Sequence, residues 1–242
     1  MIRHMIIAFA LLSIAYPDTN PRPISTYSIV AYDQKTGQLG VAVQSHWFSV
    51  GTVVPWAKAG VGAVATQSIA EPSYGPKGLA LMEQGIPADE VLKSLLAKDS
   101  GENVRQIGMV DANGNVGAHT GDRCIRYAGH KIGKHYSVQA NIMEKPTVPN
   151  AMSKAFENTK GDLAERMLVA LEAAEEQGGD LRGKQSASIL VVSGNPTGDS
   201  WKDRIVDIQI ADHEDPLGEL RRLLNIGKAY HCLLYTSPSP RD

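Results

Sequence analysis

The sequence predicts an α+β protein in which two antiparallel sheets stack and helices cover them. Candidate elements come in blocks: strands, two helices, strands, two helices, strands, then a helix. A parallel sheet would need strict alternation of strand and helix instead. Neighbouring strand runs are joined by short loops of hairpin chemistry at 33–37 and 111–115, too short for a crossover. No internal repeat and no Pro- or Ser-rich linker divides the middle of the 242 residues, so one domain is expected from 26 to 230.

The stretch 24–68 organises the rest. Residues 27–32 are β-branched and aromatic, and 39–44 read as their hairpin partner. Asp33 can bond its own turn, and Gly37 tolerates a positive φ. Residues 61–66 are small and apolar between glycines, as suits a strand covered on both faces. These strands have polar tips: Ser25 and Thr26, then Gln44, Ser45 and His46, then Thr66, Gln67 and Ser68. Apolar strands with polar ends are a rigid way to present a site.

Residues 70–76 read as a loop, and 78–84 and 87–98 as helices. The second helix has Pro87 at its start, Asp89 and Glu90 in its first turn and Lys98 at its end, which suits the helix dipole. Strands follow at 106–110, 116–119 and 136–141. Residues 149–158 and 163–177 form a helix pair ended by Gly178 and Gly179. Residues 186–192 and 203–210 close the sheets, and Leu217, Leu220, Leu224 and Tyr230 lie on one face of a last helix.

The two ends depart from this pattern. Residues 1–15 carry Arg3 and His4, an apolar run, and small residues at 13 and 15, the form of a secretory signal peptide. Residues 16–25 then read as a propeptide or linker. The predicted localisation is secreted or periplasmic, with no membrane span after signal removal. Residues 231–242 end in a Ser/Pro tail without packing pattern and read as non-native. A formal net charge of −2 with scattered cations gives no footprint for nucleic acid.

TYSIVAYD, VAVQSHWFSVG, VVPWAKAGVGAVATQS, EPSYGPKGL, VGAHTGDRC and RGKQSASILVV resemble the domain-of-unknown-function 1028 family, over about residues 26–211. That family resembles the N-terminal-nucleophile (Ntn) hydrolases. The resemblance implies a four-layer αββα sandwich of two antiparallel sheets, whose first strand opens on the nucleophile. It implies a reaction class more weakly, and no substrate.

Thr26 is the candidate nucleophile and base. Its freed α-amino group, with a pKa of about 8, lies closer to neutrality than a lysine at about 10.4. That requires a second cut before Thr26; one residue earlier, the nucleophile would be Ser25. At a strand start its hydroxyl is expected to be exposed. Gln44 and His46 are the further catalytic candidates, by position beside the nucleophile. Ser45, Lys58, Gln67 and Ser68 are expected to line the site, with Lys58 near where proteasome-like members of the fold carry a lysine. Gln67 and Ser68 could donate to an oxyanion. The resemblance puts Arg182, Lys184 and Gln185 at the rim, with Arg182 or Lys184 for an anionic substrate group.

No metal and no cofactor is expected. Asp111, Asn113, Asn115 and Asp122 imitate a calcium loop, but the glycine is misplaced and strands flank it, so it reads as a turn. His119 and Cys124 lack metal-site spacing, and Cys124 reads as a small buried hydrophobe. GKQS lacks the glycine spacing of a phosphate loop. The expected function is an exported amidohydrolase cleaving a small-molecule amide or peptide-like bond, with homo-oligomerisation open. The alternative is a non-catalytic binding or assembly protein on the same scaffold.

Overall fold

The computed structural model describes residues 26–236, with side chains to residue 230; the expected signal peptide and propeptide lie outside the described residues. Ten strands form two antiparallel sheets. The larger contains β1 (Thr26–Tyr32), β2 (Leu39–Ser45), β7 (Gly129–Gly133), β8 (Tyr136–Asn141), β9 (Ser186–Val192) and β10 (Arg204–Ile210), in the order β10-β9-β2-β1-β8-β7. The smaller contains β3 (Pro55–Lys58), β4 (Gly62–Ser68), β5 (Arg105–Asp111) and β6 (Val116–Thr120), in sequence order.

Helices α1 (Tyr74–Glu83) and α2 (Ala88–Leu96) cover the smaller sheet, burying Tyr74, Leu79, Val91 and Leu92 against Val64, Ile107 and Met109. Helices α3 (Val148–Asn158), α4 (Leu163–Glu176) and α5 (Pro216–Thr236) cover the larger, where Met152, Met167 and Leu171 pack on Tyr27, Ile29 and Val138. The layers are therefore helix, sheet, sheet, helix. The four-layer αββα sandwich is present as expected.

The turns follow from their chemistry. Asp33 Oδ1 accepts the backbone N–H of Lys35 and of Thr36, and Gly37 sits at φ 73. Asp111 is the corresponding device in the β5–β6 hairpin: Oδ1 accepts from Asn113 and Asn115, while Oδ2 takes the N–H of Ala88 at the start of α2. The calcium-like run is thus a turn that also anchors a helix. Asp162 caps α4 by accepting the N–H of Glu165.

Three expectations need correction. β3 and β7 are strands that no apolar pattern announces, because edge strands tolerate Pro, Gly and Lys. Helix α1 begins at Tyr74, four residues early, since Pro76 lies in a first turn where no N–H is needed. There Gly75 lets the Trp56 ring lie against the helix, a space that a Cβ would occupy. Tyr230 is 66% exposed, while Leu217, Leu220 and Leu224 are buried. Helix α5 runs from Pro216 to Thr236. Among the described residues no helix is long and apolar enough to cross a membrane.

Candidate active site

The space between the sheets has two halves. At one end Val30, Leu39, Val41, Val43, Ala63 and Val110 fill it with hydrocarbon. At the other the inward positions become Thr26, Ser28, Ser45, Gln67, Gln106, Ser137, Gln139 and Asn141, all fully buried. Strand alternation produces this: Thr26, Ser28 and Val30 share the inner face of β1, and Tyr27, Ile29 and Ala31 face the helices.

The buried polar groups bond to one another. Ser137 Oγ donates to Gln139 Oε1 at 3.1 Å, and Gln139 Nε2 to Ser28 Oγ at 2.7 Å. Ser28 Oγ donates in turn to Gln67 Oε1 at 2.6 Å. Gln106 Oε1 accepts from Gln67 Nε2 at 2.7 Å and Asn141 Nδ2 at 2.9 Å. Its own Nε2 donates to Thr120 Oγ1 and to the carbonyl of Ala140, both at 2.9 Å. Gly108 makes room for this layer: a Cβ there would lie 2.5 Å from Gln139 Oε1. A buried network of this kind is rigid, and its members are costly to orphan.

Thr26 sits at the outer edge of the network. It is the first residue of β1, paired with Ser45 on one side and Asn141 on the other. Its Oγ1 donates to Ser45 Oγ at 3.1 Å, and its carbonyl accepts from Gln67 Nε2 at 3.2 Å and Asn141 Nδ2 at 3.4 Å. Thr26 is fully buried, not exposed as its place at a strand start suggests.

The structure gathers some predicted residues and disperses others. Thr26, Ser45 and Gln67 meet directly. His46 follows Ser45, and its N–H donates to Asp180 Oδ2 at 3.1 Å. Arg182 reaches the carbonyl of His46 at 3.4 Å, and its Nε lies 3.5 Å from Asp180 Oδ1. These two stand beside the Thr26–Ser45 pair.

Gln44 does not. In the β1–β2 register it pairs with Tyr27, so its buried amide lies on the helix-facing side, opposite Thr26. Lys58 is also elsewhere. It pairs with Gly62, five residues along β4 from Gln67, or about 17 Å at ~3.3 Å per residue. Its ammonium is engaged with Glu83 at 2.6 Å. Ser68 closes β4 at φ 72, one position beyond Gln67 on the alternating strand. Lys184 is turned to Asp215 at 3.2 Å and Glu175 at 3.8 Å. Gln185 keeps only its backbone N–H near the site, donating to the Ser45 carbonyl at 3.1 Å, while its amide binds Asp212.

Cys124 differs from its expectation. It is half-buried, its thiol donates to the Arg105 carbonyl at 3.3 Å, and burial raises its pKa. Gln106, Asn141, Ser28 and Gln139 were not among the predicted site residues. Their signal was present: polar residues recur at Ser28 and at every second position from 137 to 141. Among the described residues no group of three or more His, Cys, Asp or Glu could hold a metal ion.

A threonine thus opens a central strand at the polar end of an αββα sandwich. The chain belongs to the DUF1028 family, a family of unknown function whose model matches residues 26–220. A protein of that family from Silicibacter pomeroyi has a crystal structure similar to this one. It is 28% identical, with a TM-score of 0.75, covering 84% of this chain and 85% of that one. The Anbu (ancestral beta-subunit) of Yersinia bercovieri is similar at 11% identity and a TM-score of 0.39, covering 89% of this chain and 100% of that one. No curated protein matches the chain.

Proposed function

We propose that the chain is the precursor of an exported Ntn-type amidohydrolase for a small amide or peptide-like bond, with Thr26 as nucleophile. One observation carries this. Thr26 heads a central strand with its hydroxyl and its carbonyl held by groups from both neighbouring strands and from the opposite sheet. The family match also begins at residue 26.

A nucleophilic hydroxyl needs a base within reach, and the Ser45 hydroxyl is not basic near neutral pH. The α-amine released by a cut between Ser25 and Thr26 would supply one on the same residue. Gln67 and Asn141 would hold the Thr26 carbonyl, and therefore the direction of its amine and hydroxyl, through attack and proton transfer. His46 and Arg182, on the rim, would meet the substrate, with Arg182 suited to an anionic group on it.

The complete burial of Thr26 also favours a second reading, in which the polar layer is structural and the protein is a non-catalytic scaffold. The two readings demand different N-termini. Expressed in a bacterium with its own N-terminus, the enzyme should leave the cytoplasm and its intact mass should correspond to a start at Thr26. An active protein that retains residues 16–25 would sink the Ntn mechanism. An uncut, inactive one would leave the scaffold.

A further inference from the structure

We infer that the end of the sandwich opposite Thr26 carries a binding site for a small, multiply charged anion, an organic phosphate or polycarboxylate. A cavity of about 640 Å³ lies there between the 33–37 turn, the β7–β8 turn and the α3–α4 connection. That is within the range of roughly 300–1,000 Å³ typical of small-molecule sites.

Its charge is unbalanced. Lys35, Lys134, Lys160 and Arg166 line it with only two acids, Asp33 and Glu157. Both acids are engaged. Asp33 Oδ2 lies 3.3 Å from Arg166, and its Oδ1 accepts turn N–H groups. Glu157 accepts the Tyr136 hydroxyl at 2.6 Å. The three lysines form no ion pair among the described residues, so nothing beside them offsets their charge. In a chain of net charge −2, three unpaired ammonium groups around one cavity form a local surplus that an anion would neutralise.

The wall beside them is built with some strain. His135 stands at φ 65, a backbone region that costs a non-glycine residue free energy. Its ring is held there by Nδ1 donating to the Gly114 carbonyl at 3.0 Å and by an edge contact with Tyr32 at 5.8 Å between centroids. A Cβ on Gly114 would collide with the imidazole, so glycine is required opposite it. The ring's Nε2 is buried and has no hydrogen-bond partner.

Solvated surface lysines would attract anions weakly and without a defined site; a built site saturates and is lost when its own lysines are lost. Titration calorimetry of the full chain with pyrophosphate, and separately with citrate, at ~0.05 M salt tests this. The expected result is one saturable event for at least one probe, and the probe preferred assigns phosphate or carboxylate chemistry. Lys134→Glu with Lys160→Glu should weaken it on the order of tenfold or more, because close charges of the wrong sign repel the ligand. Lys93→Glu with Lys145→Glu makes the same change in net charge away from the cavity and should leave affinity within about twofold. The probe should also shift the His135 imidazole NMR signal, assigned by its loss in His135→Asn, since asparagine tolerates positive φ. Unsaturable heat, equal weakening by both lysine pairs, or an unmoved His135 signal would each overturn the site.

Discussion

Gln67 Nε2 donates to the backbone carbonyl of Thr26 at 3.2 Å, across the gap between the two sheets. A side chain of the smaller sheet thus fixes the backbone of the residue that opens the central strand of the larger. The orientation of Gln67 is in turn set from both ends of its amide, by Ser28 at Oε1 and by Gln106 at Nε2. The position of Thr26 therefore depends on the stacking of the sheets, and variants of this layer should be felt at Thr26.

Thr26→Ala should lower turnover by at least about 10³-fold, as loss of a nucleophile does. Thr26→Ser should keep part of it. The alanine variant should still fold, losing about 1 kcal/mol with the bond to Ser45. Denaturant unfolding beside turnover separates the two effects.

Gln106→Leu should cost about 2–4 kcal/mol, since it removes one buried partner each from the Gln67 and Asn141 amides and from the Thr120 hydroxyl. Gln44→Leu should differ in kind. The Gln44 amide is buried with neither atom bonded, so an apolar residue of similar size should leave stability within about 1 kcal/mol or raise it. Equal losses in the two variants would show that Gln44 is satisfied in solution.

Lys58→Ala should leave turnover unchanged and shift stability by less than about 0.5 kcal/mol, because its pairing with Glu83 is half exposed. A large loss of turnover would contradict its placement on β3, opposite the start of β4 and away from Gln67.

Asp99 gives a pH dependence with a defined sign. Its hydrogen bond with Arg105, at 2.8 Å, is the main cause holding its carboxyl below the usual carboxylate range. A carboxylate depressed in the folded state stabilises it above the unfolded pKa of about 4, and that stability is lost as pH falls through the folded value. The stability gap between the native protein and Asp99→Asn should therefore be constant near neutral pH and shrink in acid. Urea unfolding from pH 7 down to about 2 checks this.

The sequence by itself determined the central strands, the hairpin turns and the helix pairs, while the nomination of Thr26 came with the family resemblance. Long apolar runs, Asp- and Gly-bearing turns and helical stripes are local signals, and resemblance supplied the layer order. Edge strands β3 and β7 escaped, because their residues pack on one side or neither and carry no periodicity. The tertiary structure alone decided which polar tips meet. Ser137, Gln139 and Asn141 alternate as residues on a solvent-facing strand would, and only a second sheet laid over them turns that face into a buried network. Gln44 and Ser45 are neighbours in the chain with equal claim to the site. The pleat sends one toward the helices and the other to Thr26, and register with β1 fixes which. Lys58 was placed by its distance in sequence, but the β3–β4 hairpin carries it to the opposite end of the strand.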